Sequence, residues 1–396
     1  MLALKIIFWF FLFIIFYAYI GYGILLYILI HIKRKFKHNT TKKGNHSDLP
    51  EVTLMVASYN EKDFIQDKIK NSRELDYPKD KLKQIWITDG TTDGSNKILE
   101  KIEGIEVHHE DKRAGKIAAI NRGMKFVKTS IVIFSDANAI LGKKSVKRIV
   151  SLFENPKTGC VSGEKRIHQN EKNAASGAGE GFYWKYESNL KKMDAELYSV
   201  VGAAGELFAI RTKLWQDVEP DTLLDDFIIS LRIAMNGYTT QYDPEAYAIE
   251  NSSSDIKEEM KRKVRISAGG IQSIIRLKKL LNIFRYGVLS FQYISHRVLR
   301  WAVTPFLIAL IIPLNLILLL NDSTWGIYSL LFYAQILFYF LVFIGRLLRS
   351  KKTRYNIFYV PYYIYLMNIS VFLGINRLIK GRQSVLWEKA KRGKSN

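Results

Sequence analysis

Two acidic clusters lie in the polar middle part of the chain, and each stands at the end of a short apolar run. Asp89-Gly-Thr-Thr-Asp-Gly follows residues 84–88, and Ser135-Asp136-Ala137-Asn138 closes the run 130–135. A carboxylate after the first run can accept hydrogen bonds from a nucleobase N–H or from ribose hydroxyls. Oxygen ligands after the second suit Mg²⁺ or Mn²⁺ bound together with a diphosphate. Either cluster alone could be an ordinary turn or helix cap.

Two further segments carry groups that a nucleotide and its reaction partner would need. Lys112, Arg113 and Lys116 could neutralise a diphosphate, although a solvated basic loop is an equally plain interpretation. Asp225 and Asp226 open a predicted helix, where either carboxylate could serve as a cap. The functional interpretation makes Asp226 a general base that removes a proton from an acceptor hydroxyl.

The acidic clusters belong to a regular alternation of strand and helix patterns. Short apolar runs at 52–57, 84–88, 105–107 and 130–135 predict strands, and 61–74, 95–102 and 113–127 predict the helices between them. This alternation predicts an α/β domain over 50–255 with a mostly parallel sheet. Ligands of such sheets bind beyond the carboxyl ends of the strands, which is where both clusters stand.

Uncharged runs of membrane-spanning length flank this domain. Ile6–Ile30 has 25 residues, whereas a span needs about 20 and a signal-peptide core only about 7–15. We therefore expect an uncleaved anchor over 1–32. The runs Trp301–Leu320, Thr324–Ile344 and Ile357–Asn376 predict two to three C-terminal transmembrane helices over 301–376.

Clusters of Lys and Arg after the first and third runs place the α/β domain in the cytosol. The expectation is a multi-pass protein of the cell membrane, of the bacterial inner-membrane type. Four full spans would put the basic tail, 377–396, on the opposite side from the domain. The last run is diluted by polar residues, so it could also re-enter without crossing.

The segment 256–300 is basic, amphipathic and leads directly into a predicted span. We expect one or more helices in the membrane plane, with an ordinary basic surface helix as the alternative. The net charge of +22 is then explained by basic residues that face the membrane surface. Nucleic acid is not expected as a partner, because no helix-turn-helix, zinc or RNA-binding signature accompanies the charge. The single cysteine, Cys160, excludes an intrachain disulfide.

In their order along the chain, these motifs resemble those of membrane-embedded family 2 glycosyltransferases. That group has the GT-A fold and includes cellulose, chitin, hyaluronan and poly-N-acetylglucosamine synthases. The resemblance covers roughly residues 50–270. It implies a nucleotide-sugar donor, most often UDP-linked, and Mg²⁺ or Mn²⁺ as cofactor. The implied partners are a glycan or lipid-linked acceptor and membrane lipids, with an oligomer or accessory subunit as a further option.

The resemblance also gives roles to single residues. It makes Asp226 the catalytic base, puts Asp136 and Asn138 at the metal, and assigns Gly202, Gly205 and Asp225 to the acceptor. The donor-binding residues would be Ala57, Tyr59, Glu61, Asp89, Lys116, Asn121, Asp136, Arg262 and Arg265.

Three departures from the family pattern bear on function. Asn138 replaces the second aspartate of Asp-x-Asp, and Asp225 replaces the usual glutamate before the base. In the Gln-x-x-Arg-Trp motif, Arg265 is kept, but Arg262 and Ile266 stand for Gln and Trp. A second Arg-Trp pair at 300–301 is interpreted as an interfacial anchor.

Ile266 replaces the tryptophan on which a growing sugar chain would stack, so two kinds of enzyme remain possible. One is a synthase of exopolysaccharide or cell-envelope polysaccharide. The other adds a single sugar to a lipid carrier or lipid-linked glycan. A non-catalytic receptor for nucleotide sugars is a third class. It is less favoured, because Asp89, Asp136 and Asp226 are all present.

Overall fold

The computed structural model describes residues 1–36, 49–168, 174–251, 256–321, 326–348, 356–381 and 386. The helices are α1 Leu2–Phe16, α2 Tyr22–Phe36, α3 Ile65–Arg73, α4 Ser95–Leu99, α5 Lys116–Met124, α6 Ser145–Leu152, α7 Ala174–Leu197, α8 Asp225–Met235, α9 Ile256–Arg276, α10 Ile283–Tyr293, α11 Thr304–Leu320, α12 Ile327–Leu348 and α13 Asn356–Ile379. The strands are β1 Val52–Ser58, β2 Leu82–Asp89, β3 Glu106–Glu110, β4 Ile131–Asp136, β5 Ile140–Leu141, β6 Thr158–His168, β7 Leu207–Arg211 and β8 Thr239–Asn251.

The eight strands form one mixed, mostly parallel sheet in the order β3-β2-β1-β4-β7-β6-β8-β5. β1 lies between β2 and β4 and is parallel to both, with Ser58 paired with Thr88 and Ala57 with Asp136. Asp89 directly follows Thr88, so both acidic clusters stand beside the carboxyl end of β1. The predicted α/β fold and its four parallel strands are thus confirmed.

The sheet is apolar on both faces, as expected for strands covered by helices on each side. Alternate residues of β1 point to opposite faces. Met55 joins a core with Ile120 of α5 and Ile228 of α8, whereas Val56 joins another with Ile69 of α3 and Ile149 of α6. The two cores hold α5 and α8 on one face of the sheet and α3 and α6 on the other.

Four helical segments of the described chain are long and apolar enough to cross a membrane. They are Leu2–Phe36, Ile283–Leu320, Ile327–Leu348 and Val360–Ile379. The first joins α1 to α2 through a π-helical turn at Tyr17–Gly21. All four predicted spans therefore have a helical counterpart. Of the predicted basic tail, only residues 377–381 and 386 are among the described residues.

The amphipathic segment 256–300 is helical over most of its length and begins with α9. α9 packs on α13, where Ser267 Oγ lies 2.9 Å from Ser370 Oγ and a Cβ on Gly374 would lie 2.7 Å from the backbone of Ala268. From Ile283 onwards the chain is one helical run with the second span, broken only at Gly287, whose φ is +50°. The depth of these helices in a bilayer remains a prediction.

A buried polar cluster joins the α/β domain to the candidate membrane-spanning helices. Asp194 on α7 accepts a hydrogen bond from Tyr22 Oη on α2 (2.5 Å) and lies 2.6 Å from His296 Nδ1. The other ring nitrogen of His296 lies 3.2 Å from Glu187. Glu187 in turn pairs with two arginines of the run entering the second span. This junction cluster comprises Tyr22, Glu187, Asp194, His296, Arg297 and Arg300.

Candidate active site

Asp89 at the end of β2 fixes the start of α5. Its Oδ2 accepts hydrogen bonds from the backbone N–H groups of Ala114 (2.9 Å) and Gly115 (2.7 Å). Gly90, with φ of +62°, allows this approach, since a Cβ there would lie 2.5 Å from the Cβ of Arg113. The aspartate therefore brings the basic segment against the carboxyl end of the sheet.

A cleft opens between the end of β1 and the start of α5. The guanidinium of Arg113 covers the ring of Tyr59 at 3.7 Å from its centroid. The cleft is lined by Ala57, Ser58, Tyr59, Asp89, Arg113, Gly115, Lys116 and Ala119. Four of the predicted donor-binding residues, Ala57, Tyr59, Asp89 and Lys116, thus share one cavity.

Lys116 connects this cleft to the second acidic cluster. Its Nζ donates to Asp136 Oδ1 at 2.6 Å, and both side chains are largely buried. Burial alone would lower the pKa of Lys116, but Asp136 and Asp225 hold it above its usual range. Burial raises the pKa of the Asp136 carboxyl, which the lysine opposes. One cation therefore lies between the cleft, Asp136 and the Asp225–Asp226 pair.

The two predicted metal ligands offer oxygen atoms only. Asp136 ends β4 and Asn138 lies two residues on, partly buried. Among the residues that the structure describes, no three His, Cys, Asp or Glu side chains form a metal-holding group. One carboxylate and one amide oxygen fit Mg²⁺ or Mn²⁺ when substrate phosphate oxygens complete the shell.

Asp226 lies in the first turn of α8, against the glycine segment that precedes β7. A Cβ on Gly205 would lie only 3.2 Å from Asp226 Oδ2. Burial and the neighbouring Asp225 raise the pKa of Asp226 to about 7. Gly202 has a different role, because its φ is +91° and a Cβ there would lie 2.2 Å from the ring of Phe227. Of the predicted acceptor glycines, only Gly205 faces the base.

The two predicted arginines of α9 are placed differently. Arg265 lies within electrostatic range of Asp136, Asp225 and Asp226, and burial lowers the pKa of its guanidinium. Arg262 makes two hydrogen bonds to Glu259, one turn earlier on the helix, at 3.0 and 3.1 Å. Arg265 therefore belongs to an acidic centre formed by Asp136, Asp225 and Asp226.

Two other predicted donor residues are not among those that line the cleft. Asn121 on α5 donates to the carbonyl of Val218 (2.8 Å) and accepts from its N–H (3.2 Å), which ties the 215–219 segment to the helix. Glu61 is 8% exposed, next to the loop after β1. Contact of either residue with a donor stays a prediction.

The Arg-Trp pair at 300–301 was wrongly predicted to be an interfacial anchor. Arg297 and Arg300 are 8% and 7% exposed and pair with Glu187 at 2.7 and 3.1 Å. Trp301 lies over Gly270 of α9 and 5.2 Å from the ring of Phe227, the residue after Asp226. The pair thus lies inside the protein, behind the acidic centre.

The mostly parallel sheet, the cleft at its carboxyl edge and the buried aspartates beside it form an α/β domain with a polar site at the strand ends. The family model described as "Glycosyltransferase like family 2" matches residues 50–269. The chain belongs to this family and is a glycosyltransferase.

Relatives and a solved structure agree with this assignment. Poly-beta-1,6-N-acetyl-D-glucosamine synthase of Staphylococcus aureus (strain MSSA476) is 27% identical over 285 residues, which cover 67% of each chain. The enzyme of the same name from Staphylococcus epidermidis is 25% identical over 315 residues, covering 75% of this chain and 73% of the relative. A mannosyltransferase from Pyrobaculum calidifontis, solved in complex with GDP-Man and Mn²⁺, superposes with a TM-score of 0.68. It is 20% identical and covers 93% of this chain and 98% of its own. The likeness confirms the GT-A-like fold.

Proposed function

We propose that this glycosyltransferase moves a sugar from a UDP-linked donor onto a glycan in exopolysaccharide or cell-envelope polysaccharide synthesis, with inversion at the anomeric carbon. The acceptor hydroxyl gives its proton to Asp226 as its oxygen bonds to the anomeric carbon. The bond from that carbon to the diphosphate oxygen breaks, and UDP leaves. A single displacement of this kind inverts the configuration.

The position of Lys116 is the observation that carries the proposal. It lines the cleft closed by Asp89, donates to Asp136 and lies in the field of Asp225 and Asp226. A nucleotide sugar with its nucleoside in the cleft would therefore have its diphosphate beside Lys116 and the sugar to be transferred directed towards Asp226. A pKa of about 7 suits that carboxyl to general-base work at neutral pH.

Asp136 and Asn138 would hold the divalent ion together with the diphosphate. When bound, Mg²⁺ or Mn²⁺ supplies a Lewis acid that stabilises negative charge on the departing diphosphate. Mn²⁺ accompanies GDP-Man in the P. calidifontis mannosyltransferase, which supports a divalent ion as cofactor. The chain's own part is to place Lys116 and Arg265 beside the same phosphates.

The cationic end of the first candidate span supports a cytosolic position for the catalytic domain. Lys33 Nζ donates to the carbonyls of Glu196 and Leu197 at 2.7 and 2.6 Å, and Arg34 pairs with Glu196 at 2.6 Å. The basic end of α2 therefore contacts α7 of the catalytic domain. Basic flanks stay on the cytoplasmic side, so we place the domain in the cytosol and the chain across the cell membrane several times.

A second candidate product is a single sugar on a lipid carrier or lipid-linked glycan. Ile266 on α9 favours it, because an aliphatic side chain stands where the resembled motif carries tryptophan. The names of the staphylococcal relatives favour a polymer.

Product size separates the two candidates. Membranes containing the full chain would be incubated with a panel of radiolabelled UDP-sugars, and the products extracted and sized. A ladder of long chains supports the synthase, and one labelled sugar in the lipid phase supports the alternative. Absence of UDP release with every sugar would refute a UDP-sugar transferase. The Asp226→Asn protein is the control for background hydrolysis.

A further inference from the structure

Lys68 on α3 is a fully buried lysine next to the active site. Its relative exposure is 0%, whereas lysines are almost never buried completely without a partner. The ammonium donates to Ser135 Oγ at 2.7 Å and to the carbonyl of Ala139 at 2.5 Å. Both hydrogen bonds end on the loop that carries the candidate metal ligands.

The two contacts enclose that loop from either side. Ser135 precedes Asp136, and Ala139 follows Asn138. The N–H of Ala139 also bonds back to the carbonyl of Asp136 at 3.2 Å, so the loop is a tight turn. Lys68 holds both ends of the turn from the side opposite Lys116, which binds the carboxylate itself.

The same face of α3 holds the chain just beyond the loop. Asn71, one turn after Lys68, donates to the carbonyl of Leu141 and accepts from its N–H, each at 2.8 Å. α3 is packed against the sheet through Ile65 and Ile69. The loop is therefore anchored to a rigid helix.

We propose that Lys68 is a positioning residue for the metal-binding loop, which sets Asp136 and Asn138 in the orientation that a divalent cation needs. This inference rests on the proposed function, in which these two side chains hold the ion. It explains why a lysine chain crosses the core only to reach a serine hydroxyl and a carbonyl.

The loop depends on such support because it carries few charges. Only Asp136 is an anion, since the second ligand position is the neutral Asn138. With one carboxylate, affinity for the ion relies on ligands that are already in place. Burial lowers the pKa of Lys68 to about 7, opposed by Asp136 and Glu250. Either protonation state can donate to the Ala139 carbonyl and bond to the Ser135 hydroxyl.

The test compares Lys68→Met with Lys70→Met in the full chain. Methionine keeps most of the length of the buried side chain and removes both hydrogen bonds, and Lys70 is exposed on the same helix. Purified protein in detergent is titrated with Mn²⁺ at saturating UDP, and the free ion is followed by its electron paramagnetic resonance signal. We expect Mn²⁺ affinity to fall about 10- to 100-fold in Lys68→Met, the usual effect of losing support behind a metal ligand.

Two controls make this a test of positioning. UDP affinity without metal should stay within about threefold of wild type, and Lys70→Met should bind Mn²⁺ like wild type. Ser135→Ala removes one of the two bonds and should weaken Mn²⁺ binding by a smaller factor. It decides the matter should Lys68→Met fail to fold.

The outcomes separate this inference from the proposed function. Wild-type affinity for Mn²⁺ in Lys68→Met, or in Ser135→Ala where the first variant does not fold, overturns the role of Lys68 alone. Wild-type protein that binds UDP but no Mn²⁺ overturns the proposed metal site, and the role of Lys68 with it.

Discussion

Replacing Asp226 by asparagine should make the ligand-free protein more stable and nearly inactive. The pKa of this carboxyl is raised to about 7 from an ordinary value near 4. A pKa that is higher in the folded state gives stability that is fully present below pH 4 and lost as the pH rises through 7. The gap of about three pH units corresponds to about 4 kcal/mol at most.

Asparagine carries no charge, so the variant escapes this loss. The difference in unfolding free energy between variant and wild type should be small at pH 5 and grow up to pH 8. Each kcal/mol moves the melting temperature by about 2–4 °C in a domain of this size. Melting curves of the full chain in detergent, at pH 5, 6, 7 and 8, measure this.

The control is Asp80→Asn, an exposed aspartate in the loop before β2. Its melting temperature should follow that of wild type at every pH. Turnover of Asp226→Asn should fall by about 10²–10⁴-fold, the contribution of a positioned base, while UDP binding persists. A melting difference that stays constant from pH 5 to pH 8 refutes the argument from burial, and near-wild-type turnover refutes the base.

Three other substitutions test the surroundings of the base and the junction cluster. Gly205→Ala puts a methyl group 3.2 Å from Asp226 Oδ2, so kcat should fall at least tenfold with UDP affinity unchanged, as measured by UDP release and calorimetry. Lys116→Met leaves Asp136 buried without its cation, so UDP affinity should fall at least tenfold and the melting temperature should drop. Unaltered UDP binding would contradict the proposed contact between Lys116 and the diphosphate. Glu187→Gln strips two buried arginines of their carboxylate and should cost about 3–5 kcal/mol, seen as a lower melting temperature in detergent that added UDP does not restore.

The acidic centre could be predicted from sequence where it depends on strand ends. Asp89 and Asp136 each stand at the end of an apolar run, and parallel pairing with β1 makes those ends neighbours. The apolar runs and the rule that ligands bind at the carboxyl ends of parallel strands therefore suffice to predict the positions of Asp89 and Asp136. The same rule does not reach Asp226. Its residue type at a helix start suggests a general base, but its position in the site depends on the packing of α8.

Other features were beyond prediction because their partners are distant in sequence. Arg297 and Arg300 look like ordinary basic flanks of a span until Glu187 of α7 is placed against them. Lys68 looks like any polar residue of an amphipathic helix, and nothing local shows that it is buried. In both cases the sequence shows a charged side chain but not the distant group that it contacts, and that pairing is set only by the folded chain.

The junction cluster has a practical consequence for work on this enzyme. Asp194 and Glu187 belong to the catalytic domain, but their partners Tyr22, His296 and Arg300 lie on the candidate membrane-spanning helices. A soluble fragment cut at residues 50 and 255 would carry two bare carboxylates on an apolar surface. Transfer activity therefore has to be sought in the whole chain, kept in lipid or detergent.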